Sequence, residues 1–189
     1  MYIPDLNQSS GDWREMETTR SHSGYKVVWN GTQAWKRVST SEVTDQRLRN
    51  EARTLKAIGG IFAPRLLEVV RNEDHLTLIR SYISGPLFKL SDYGLEGRQR
   101  IRNQLETSLS QVHTLGWIHG DISPENIVIN EEGPVLIDWE HALEIGNRLD
   151  NTAFRAVQPG FTHPDQIWGR GLVRPELDFY ALDKVFQNT

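Results

Sequence analysis

The most constraining feature of this sequence is a pair of short apolar runs, residues 127–129 and 135–137, separated by a polar turn. The turn reads Asn-Glu-Glu-Gly-Pro, and this pattern is typical of a tight antiparallel strand pair. Asp121 and Asn126 precede the first run and Asp138 directly follows the second, so strand pairing would bring the three side chains to one end of the ribbon. Two carboxylates and an amide there can bind a divalent cation and accept a proton. We therefore predict an active site at this end of the strand pair.

The residues around this strand pair resemble two motifs of protein kinases. Residues 119–126, His-Gly-Asp-Ile-Ser-Pro-Glu-Asn, are similar to the kinase catalytic loop, and residues 138–140, Asp-Trp-Glu, are similar to the metal-binding Asp-Phe-Gly. The combined spacing is far more specific than an isolated His-Gly-Asp, and a solvated turn with ordinary capping acids is the alternative. The resemblance implies that Asp121 is the catalytic base and that Asn126 and Asp138 hold the Mg²⁺ ions that bridge the phosphates of ATP.

The composition agrees with one compact domain. A chain of 189 residues with 38% hydrophobic content can form a single core. The sequence contains no apolar run of about 18 residues and no signal-peptide pattern, so we expect neither a membrane span nor a membrane partner. Because there is no cysteine, disulfides and thiolate chemistry are excluded. The net charge is −4 and the basic residues are scattered among acidic ones, so we expect no nucleic-acid binding.

The first part of the chain predicts a polar N-terminal segment followed by a β-hairpin. Residues 1–20 are polar and mixed, and we interpret them as a secretion signal or, at residues 13–19, as a first strand. Asn30-Gly31 between two β-rich runs is the strongest short hairpin signal. Lys36, in Ala-Trp-Lys of the second hairpin strand, resembles the kinase lysine that contacts the ATP phosphates; an ordinary surface lysine is the alternative.

A helix is predicted after this hairpin. Residues 39–42, Ser-Thr-Ser-Glu, form a capping box at its start, and the glycines at residues 59–60 end it. Glu51 falls on the apolar stripe of this helix, where a buried carboxylate needs a cation. Lys36 on the neighbouring strand is the natural partner, and the pair resembles the lysine and helix glutamate of active kinases. A position of Glu51 at the solvent edge of the stripe is the alternative.

The resemblance also assigns residues to the nucleotide. The loop before the hairpin, residues 20–24, has one glycine where kinases have three, and the phosphates would be approached through Gly24 and the hydroxyls of Ser21 and Ser23. Residues 81–85 resemble the linker whose main chain binds adenine, which implies contacts from Ser81 and Ile83. Arg80 would flank the adenine pocket and restrict its back.

Two departures from the kinase pattern lie in the catalytic loop. A helical period over residues 101–115 predicts a helix that leads into this loop, where we expect His119 to anchor the turn rather than to transfer a proton. Gly120 replaces the arginine that in many kinases binds a phosphorylated activation segment, so we expect constitutive activity. Ser123 replaces a lysine that neutralises the transferred phosphoryl group, which could lower turnover and leaves a pseudokinase open.

Motifs after residue 140 separate two classes of phosphotransferase. His-Gly-Asp and Asp-Trp-Glu are also similar to aminoglycoside and choline phosphotransferases, which act on small molecules. Residues 158–166 resemble the end of a protein-kinase activation segment, and residues 178–182 resemble the helix that supports the catalytic loop. We therefore favour a protein serine/threonine kinase, with a small-molecule phosphotransferase and a non-catalytic pseudokinase as alternatives.

The implied fold is α+β and bilobal, with a single minimal kinase domain over residues 21–189. The N lobe, about residues 21–84, is expected to be a small antiparallel sheet of five strands with one helix. The C lobe, about residues 85–189, is expected to be helical. Because the sequence ends soon after the supporting helix, we expect a truncated C lobe. We expect a monomer.

The small size, polar N-terminus, Gly120 and absence of cysteine resemble a group of bacterial effector kinases. These effectors are secreted through type III systems into the host cell cytoplasm, where they phosphorylate and inactivate the heat shock protein 90 chaperone. The resemblance implies a protein substrate and that location, with the bacterial cytoplasm as the alternative. For substrate docking we predict the stretch with Trp168, Arg170 and Arg174, because aromatic and arginine side chains are enriched at binding hot spots. Packing of Trp168 under the activation segment is the alternative.

Overall fold

The computed structural model describes residues 13–21, 24–60, 62–152 and 155–187, with side chains from residue 24 onward. Much of the polar segment at residues 1–20, and the loop just before Gly24, lie outside the described residues. The strands are β1 (Trp13–Ser21), β2 (Gly24–Trp29), β3 (Thr32–Val38), β4 (Leu66–Arg71), β5 (Leu76–Ser81), β6 (Trp117–Ile118), β7 (Ile127–Asn130), β8 (Gly133–Leu136) and β9 (Leu143–Glu144). The α-helices are α1 (Glu42–Ile58), α2 (Leu95–Thr114), α3 (Pro164–Trp168) and α4 (Glu176–Gln187).

The N lobe is an antiparallel five-stranded sheet in the order β1-β2-β3-β5-β4. The predicted five strands are confirmed, including the first. The predicted hairpin turn is also present, because Asn30 and Gly31 have φ angles of 46° and 78°. Two successive positive φ angles are characteristic of a type I′ turn, whose twist matches that of the flanking strands.

The capping box of α1 lies two residues later than the sequence predicts. The N-cap is Ser41, whose Oγ accepts a hydrogen bond from the Thr44 amide at 3.2 Å, while Thr44 Oγ1 accepts one from the Ser41 amide at 2.9 Å. Ser39 instead accepts a hydrogen bond from the backbone amide of Leu76 at 2.7 Å, which ties the entry of the helix to β5. The predicted end is confirmed, because Gly59 caps the helix with a left-handed φ of 71°.

One face of the sheet packs against α1, and we call it the α1 face. It carries Leu76 and Leu78 of β5, which form a buried cluster with residues of the helix. Because side chains alternate along a strand, Arg80 lies on the same face. Leu78 pairs with Arg37 of β3, and Arg80 pairs with Trp35, so these two β3 residues also belong to the α1 face. The alternation of β3 therefore decides which of its side chains can reach the helix.

The C lobe is built on α2, α4 and the β7–β8 hairpin, which share the largest core. The predicted stripe of α2 is buried at residues Ile101, Leu105, Leu109 and Val112. Leu115, which we placed on the same stripe, is 52% exposed because the helix ends at Thr114. A five-stranded antiparallel lobe followed by a mainly helical one confirms the α+β fold class. In the described part of the chain, none of the helices has the length and apolarity needed to cross a membrane.

Candidate active site

The loop that follows β6 is held by a single carboxylate of α4. Asp178 is 1% exposed, and its two oxygens accept hydrogen bonds from the backbone amides of His119 at 2.8 Å and Gly120 at 2.9 Å. The Nε2 atom of His113 in α2 lies 2.9 Å from the same carboxylate. Buried amides need partners, and here α4 supplies them. These contacts give a physical basis to the predicted support of the loop by this helix.

His119 anchors the loop from inside, as expected. Its ring is fully buried, with Nε2 3.0 Å from the carbonyl oxygen of Ile137 and Nδ1 accepting a hydrogen bond from the Asp121 amide at 3.2 Å. The ring also meets the indole of Trp139 edge-on, with a centroid distance of 4.5 Å. Both ring nitrogens are therefore used within the fold, which agrees with a structural role.

The structure brings together the three polar residues predicted to meet at the hairpin end. Asn126 donates from Nδ2 to the carbonyl oxygen of Asp121 at 2.8 Å and to its carboxylate at 3.1 Å. The amide of Ile137 donates to the carbonyl oxygen of Asn126 at 2.9 Å, which places Asn126 beside Asp138. Burial raises the pKa of Asp121; the charge of Asp138 adds to the rise, and His119 opposes it. Asp121 thus has a carboxylate that is oriented by an amide and made more basic by its surroundings.

The chain turns at Asp138, shortly after the end of β8, because this residue has a left-handed backbone conformation with φ 66° and ψ 64°. The following Trp139 is fully buried and donates from its indole to the carbonyl oxygen of Leu136 at 3.0 Å, which fixes this turn. The side chain of Asp138 remains 30% exposed. Among the described residues, no three His, Cys, Asp or Glu side chains cluster as a self-contained metal site.

Asn126 and Asp138 nevertheless fit Mg²⁺. The amide nitrogen of Asn126 is directed at Asp121, so its oxygen is the atom that remains to act as a ligand. Mg²⁺ prefers oxygen ligands and is usually held by one or two side chains together with water and substrate phosphates. The amide oxygen of Asn126 and the partly exposed carboxylate of Asp138 match this requirement.

The cation that faces Glu51 is Arg37, where we predicted Lys36. Arg37 Nη1 lies 2.7 Å from Glu51 and 2.8 Å from Asp138, and Nη2 lies 2.5 Å from Glu140. Lys36 pairs with Tyr25 and Ile79 across the sheet and therefore belongs to the opposite face. Burial alone would lower the pKa of Arg37, but the three carboxylates raise it above its ordinary value.

Glu51 is completely buried, so the solvent-edge alternative is wrong. Its second oxygen lies 3.1 Å from Nε of Arg80, whose side chain is 7% exposed. Burial raises the pKa of the Glu51 carboxyl, and the charges of Arg80 and Arg37 oppose the rise. The residue that we expected to restrict the adenine pocket is thus a second ion-pair partner of the helix glutamate.

Glu140 occupies the position at which kinases have the glycine of Asp-Phe-Gly, and it links this segment to α1. Its carboxylate contacts Arg37 and also lies 3.5 Å from Arg47 of α1. Asn50 of α1 donates to the carbonyl oxygens of Glu140 at 3.0 Å and Ala142 at 2.8 Å. Burial would raise the pKa of Glu140, but the hydrogen bond from the neighbouring histidine side chain and the charge of Arg37 outweigh it and lower the pKa to about 2. Glu140 is therefore ionised at any ordinary pH.

Aromatic and cationic side chains that sequence reasoning did not single out lie beside the linker that is predicted to bind adenine. Trp35 lies on the α1 face, with its ring centroid 6.2 Å from that of Tyr82 in the linker after β5. Lys26 of β2 pairs with Trp35 across the sheet, and its ammonium lies 4.3 Å from the Tyr82 centroid. Ser81 uses its amide and hydroxyl to bind the backbone of Arg65. The contacts of Ser81 and Ile83 with adenine stay predictions.

Gly24 is needed for packing inside the sheet. A Cβ atom at this position would lie 2.7 Å from the indole Nε1 of Trp35 and 2.6 Å from the carbonyl oxygen of Lys36. No side chain fits there, since real Cβ contacts do not approach below about 3.0 Å. The role of Gly24 toward phosphate stays a prediction, because residues 22–23 lie outside the described residues.

Arg37 was missed in the sequence analysis because the Ala-Trp-Lys motif led us to assign the neighbouring Lys36 as the partner of Glu51. A signal was available in the alternation of β5: the apolar residues Leu76 and Leu78 and the charged Arg80 share one face, and the helix that carries Glu51 must cover that face. Pairing β3 with β5 in register would then have selected Arg37. That register is not contained in either strand alone.

Comparisons with known proteins agree with this geometry. The protein kinase domain family matches residues 21–187. Serine/threonine-protein kinase D of Synechocystis is 29% identical over 155 residues, covering 76% of this chain and 30% of that protein. Serine/threonine-protein kinase AfsK of Streptomyces griseus is 25% identical over 173 residues, covering 86% of this chain and 21% of that protein. The chain therefore spans less than a third of the length of these two curated relatives.

A solved structure shares the fold at low sequence identity. The kinase PK-1 of the Cydia pomonella granulovirus superposes with a TM-score of 0.76 at 15% identity, covering 94% of this chain and 69% of that one. A likeness at this identity concerns the fold, whereas the family match covers strands β2–β5, the catalytic loop and α4 together. The chain belongs to the protein kinase family.

Proposed function

We propose that this chain is an ATP- and Mg²⁺-dependent protein kinase that transfers the γ-phosphate to a serine or threonine hydroxyl of a protein. The observation that carries the proposal is the convergence of Asp121, Asn126 and Asp138 on a loop that Asp178 holds in place. The names of the two bacterial relatives support the hydroxyl class of the acceptor. Because the chain spans only part of each relative, this support concerns the catalytic domain.

In the proposed reaction Asp121 accepts the proton of the substrate hydroxyl while the hydroxyl oxygen attacks the γ-phosphorus. The bond from the γ-phosphorus to the bridging oxygen breaks, and ADP leaves with the electron pair. Asn126 orients the Asp121 carboxylate through its amide nitrogen. The raised pKa of Asp121 brings its basicity closer to the operating pH, which favours general-base catalysis. Mg²⁺, when held by Asn126 and Asp138, would neutralise charge on the phosphates.

Arg37 is the residue that we propose for direct contact with the nucleotide phosphates. Its guanidinium already lies 2.8 Å from Asp138, the proposed Mg²⁺ ligand, beside which the phosphates would lie. A guanidinium can bind phosphate oxygens with two parallel hydrogen bonds. Ser123, which replaces the lysine expected to assist transfer, is fully buried, and its hydroxyl has no hydrogen-bond partner among the described residues. Arg37 is therefore the residue that we propose in place of that lysine for neutralising phosphate charge.

We also propose the narrower assignment that the resemblance suggests. The chain would be an effector kinase delivered through a type III system into the host cell cytoplasm, where its substrate would be the heat shock protein 90 chaperone. Gly120 and the absence of cysteine in the sequence support this assignment. Recognition of the chaperone would use the exposed surface around Trp168 and Arg170.

The test is transfer of labelled γ-phosphate to four acceptors: purified chaperone, an unrelated protein with exposed serine and threonine, an aminoglycoside and choline. We expect label on serine or threonine of the chaperone. Label on another protein alone would contradict the chaperone assignment and leave the protein kinase standing. Label on a soluble alcohol would assign a small-molecule phosphotransferase instead. Binding of ATP with no transfer to any acceptor would assign a pseudokinase.

Two variants separate binding from chemistry in this assay. Asp121→Asn keeps the hydrogen-bonding shape of the side chain but cannot take a proton, so it should bind ATP and transfer no label. Asp138→Ala removes a proposed Mg²⁺ ligand, so calorimetry should show ATP binding that no longer responds to Mg²⁺. Equal affinities for ATP with and without Mg²⁺ in the wild type would contradict the metal assignment.

A further inference from the structure

The buried carboxylate of Glu51 is contacted by two guanidiniums, one on each oxygen. Oε2 accepts a hydrogen bond from Nη1 of Arg37 at 2.7 Å, whereas Oε1 lies 3.1 Å from Nε of Arg80, an ion-pair distance without hydrogen-bond alignment. Glu51 is completely buried, and the arginine side chains are 11% and 7% exposed. Water therefore has little access to any of the three groups, and each depends on the others for neutralisation.

The two arginines have different surroundings. Arg37 is shared among Glu51, Asp138 and Glu140, all within 2.8 Å. Arg80 projects from β5 on the α1 face, and its ion pair is with Glu51. Asp138 is also the carboxylate that we expect to bind Mg²⁺, and Arg37 is the cation that we expect to bind phosphate. Arg37 must therefore exchange partners when the nucleotide binds. Arg80 does not need to change its partner in the proposed reaction.

This difference matters for the charge on Glu51. Before the nucleotide binds, Arg37 and Arg80 face three carboxylates, one of which, Glu140, also lies 3.5 Å from Arg47. When Arg37 turns toward anionic phosphates, its ion pair with Glu51 weakens. The buried negative charge of Glu51 is then poorly neutralised, which is strongly unfavourable. A second cation that stays in place removes this penalty. It also keeps the Glu51 side chain, and with it α1, in one position.

We propose that Arg80 is a positioning residue that holds the Glu51 carboxylate through Oε1 while Arg37 exchanges Asp138 for the nucleotide phosphates. The proposal rests on the phosphoryl transfer proposed above. Arg80 acts through Glu51 on Arg37, and contact between Arg80 and the transferred phosphate is not required. The alternative is that Arg80 only fills space between β5 and α1.

Four variants distinguish positioning from space filling. Arg80→Met keeps the length of the side chain and removes the charge, and Arg80→Lys restores a charge. Arg80→Met combined with Glu51→Gln removes both charges of the pair. Arg71→Met is the matched control, because Arg71 is another arginine of the sheet, 39% exposed and paired with Asp45. Stability is measured as the urea midpoint without nucleotide or metal, and catalysis as kcat and KM for ATP.

We expect Arg80→Met to lower the urea midpoint and to reduce kcat at least tenfold, and Arg80→Lys to regain most of both. Adding Glu51→Gln to Arg80→Met should restore the midpoint, because no unpaired charge remains, but should leave kcat low. Arg71→Met should show wild-type kcat. This separation of stability from turnover is what a space-filling side chain would not produce.

The outcomes that overturn the inference are distinct from those that overturn the kinase function. If the wild type transfers label and Arg80→Met transfers it at the wild-type rate, the positioning role fails and the kinase stands. The same holds if the added Glu51→Gln leaves the midpoint as low as in Arg80→Met, because the loss would then come from packing. If the wild type transfers no label to any acceptor, the kinase function fails and the positioning role fails with it.

Discussion

At the level of single residues, the sequence assigned to Lys36 both the ion pair with Glu51 and the contact with phosphate. In the structure the adjacent Arg37 makes the ion pair. Arg37 reaches Glu51, Asp138 and Glu140 on the α1 face, whereas Lys36 belongs to the other face, opposite Tyr25 and Ile79. An arginine differs from a lysine here, because its planar group can bind several carboxylates at once and then bind phosphate in the same plane.

This division predicts unequal effects of two matched substitutions. Arg37→Met and Lys36→Met each remove one positive charge from neighbouring positions of the same strand. We expect Arg37→Met to lower kcat/KM for ATP by about 10²-fold or more, the typical cost of losing a preorganised electrostatic contact. Lys36→Met should have the smaller effect. Steady-state kinetics of both variants provides the measurement. A larger loss of kcat/KM for Lys36→Met than for Arg37→Met would show that Lys36, and not Arg37, contacts the phosphates.

At the scale of elements, the catalytic loop is tied to three segments that are distant in sequence. Its amides bind Asp178 of α4, its carbonyl oxygen at Gly120 accepts a hydrogen bond from Gln166 of α3 at 2.7 Å, and Gly120 itself packs against the backbone of His141. Gly120 has a φ of 76°, and a Cβ atom there would lie 2.7 Å from the carbonyl oxygen of His141. The glycine is thus required by backbone geometry. Constitutive activity stays a prediction.

Gly120→Ala tests this packing. The left-handed backbone costs a side chain about 1–2 kcal/mol, and the contact with His141 adds to that cost. We expect a loss of more than about 2 kcal/mol in the free energy of unfolding. Gly146→Ala is the control, because Gly146 has a φ of 90° with no atom within 4 Å of the added Cβ, so it incurs the backbone cost alone. Urea denaturation of both variants gives the comparison, and equal losses would show that the contact with His141 is relieved without cost.

At the scale of the whole molecule, the surface near α3 carries the most exposed tryptophan side chain among those described. Trp168 is 68% exposed, so its alternative placement under the activation segment is wrong. The guanidinium of Arg170 lies 5.9 Å from the Trp168 ring. Arg174 instead lies 2.6 Å from Asp165, which gives it a partner within the fold. We therefore place the proposed docking contact on Trp168 and Arg170.

Substitution of these two residues separates docking from catalysis. Trp168→Ala combined with Arg170→Ala should raise KM for a folded protein substrate about tenfold, since exposed aromatic and arginine anchors contribute strongly to binding. The rate on a short peptide and the urea midpoint should not change, because both side chains lie outside the core. Leu95→Ala is the control, since Leu95 is 83% exposed at the start of α2. An unchanged KM for the folded substrate would remove this surface from the docking proposal.

Elements whose signals are local could be predicted from the amino-acid sequence alone. Asn30-Gly31 specified the hairpin turn through its backbone preferences, and the helical period specified the buried stripe of α2. Asp121, Asn126 and Asp138 could be brought together from sequence because one short hairpin joins them. The kinase motifs then assigned these residues to their chemistry.

The strand residues that face Glu51 could not be predicted in this way, because they depend on how the strands and the helix pack. A side chain changes face with every residue along a strand, so a shift of one position exchanges Lys36 for Arg37. The face that α1 covers is set by packing of the helix on Leu76 and Leu78, and these residues lie about 40 positions from β3. The pairing of Glu51 with Arg80 depends on the same packing. Contacts between elements that are distant in sequence have no local signal, because their energy comes from burial and charge compensation in the assembled fold.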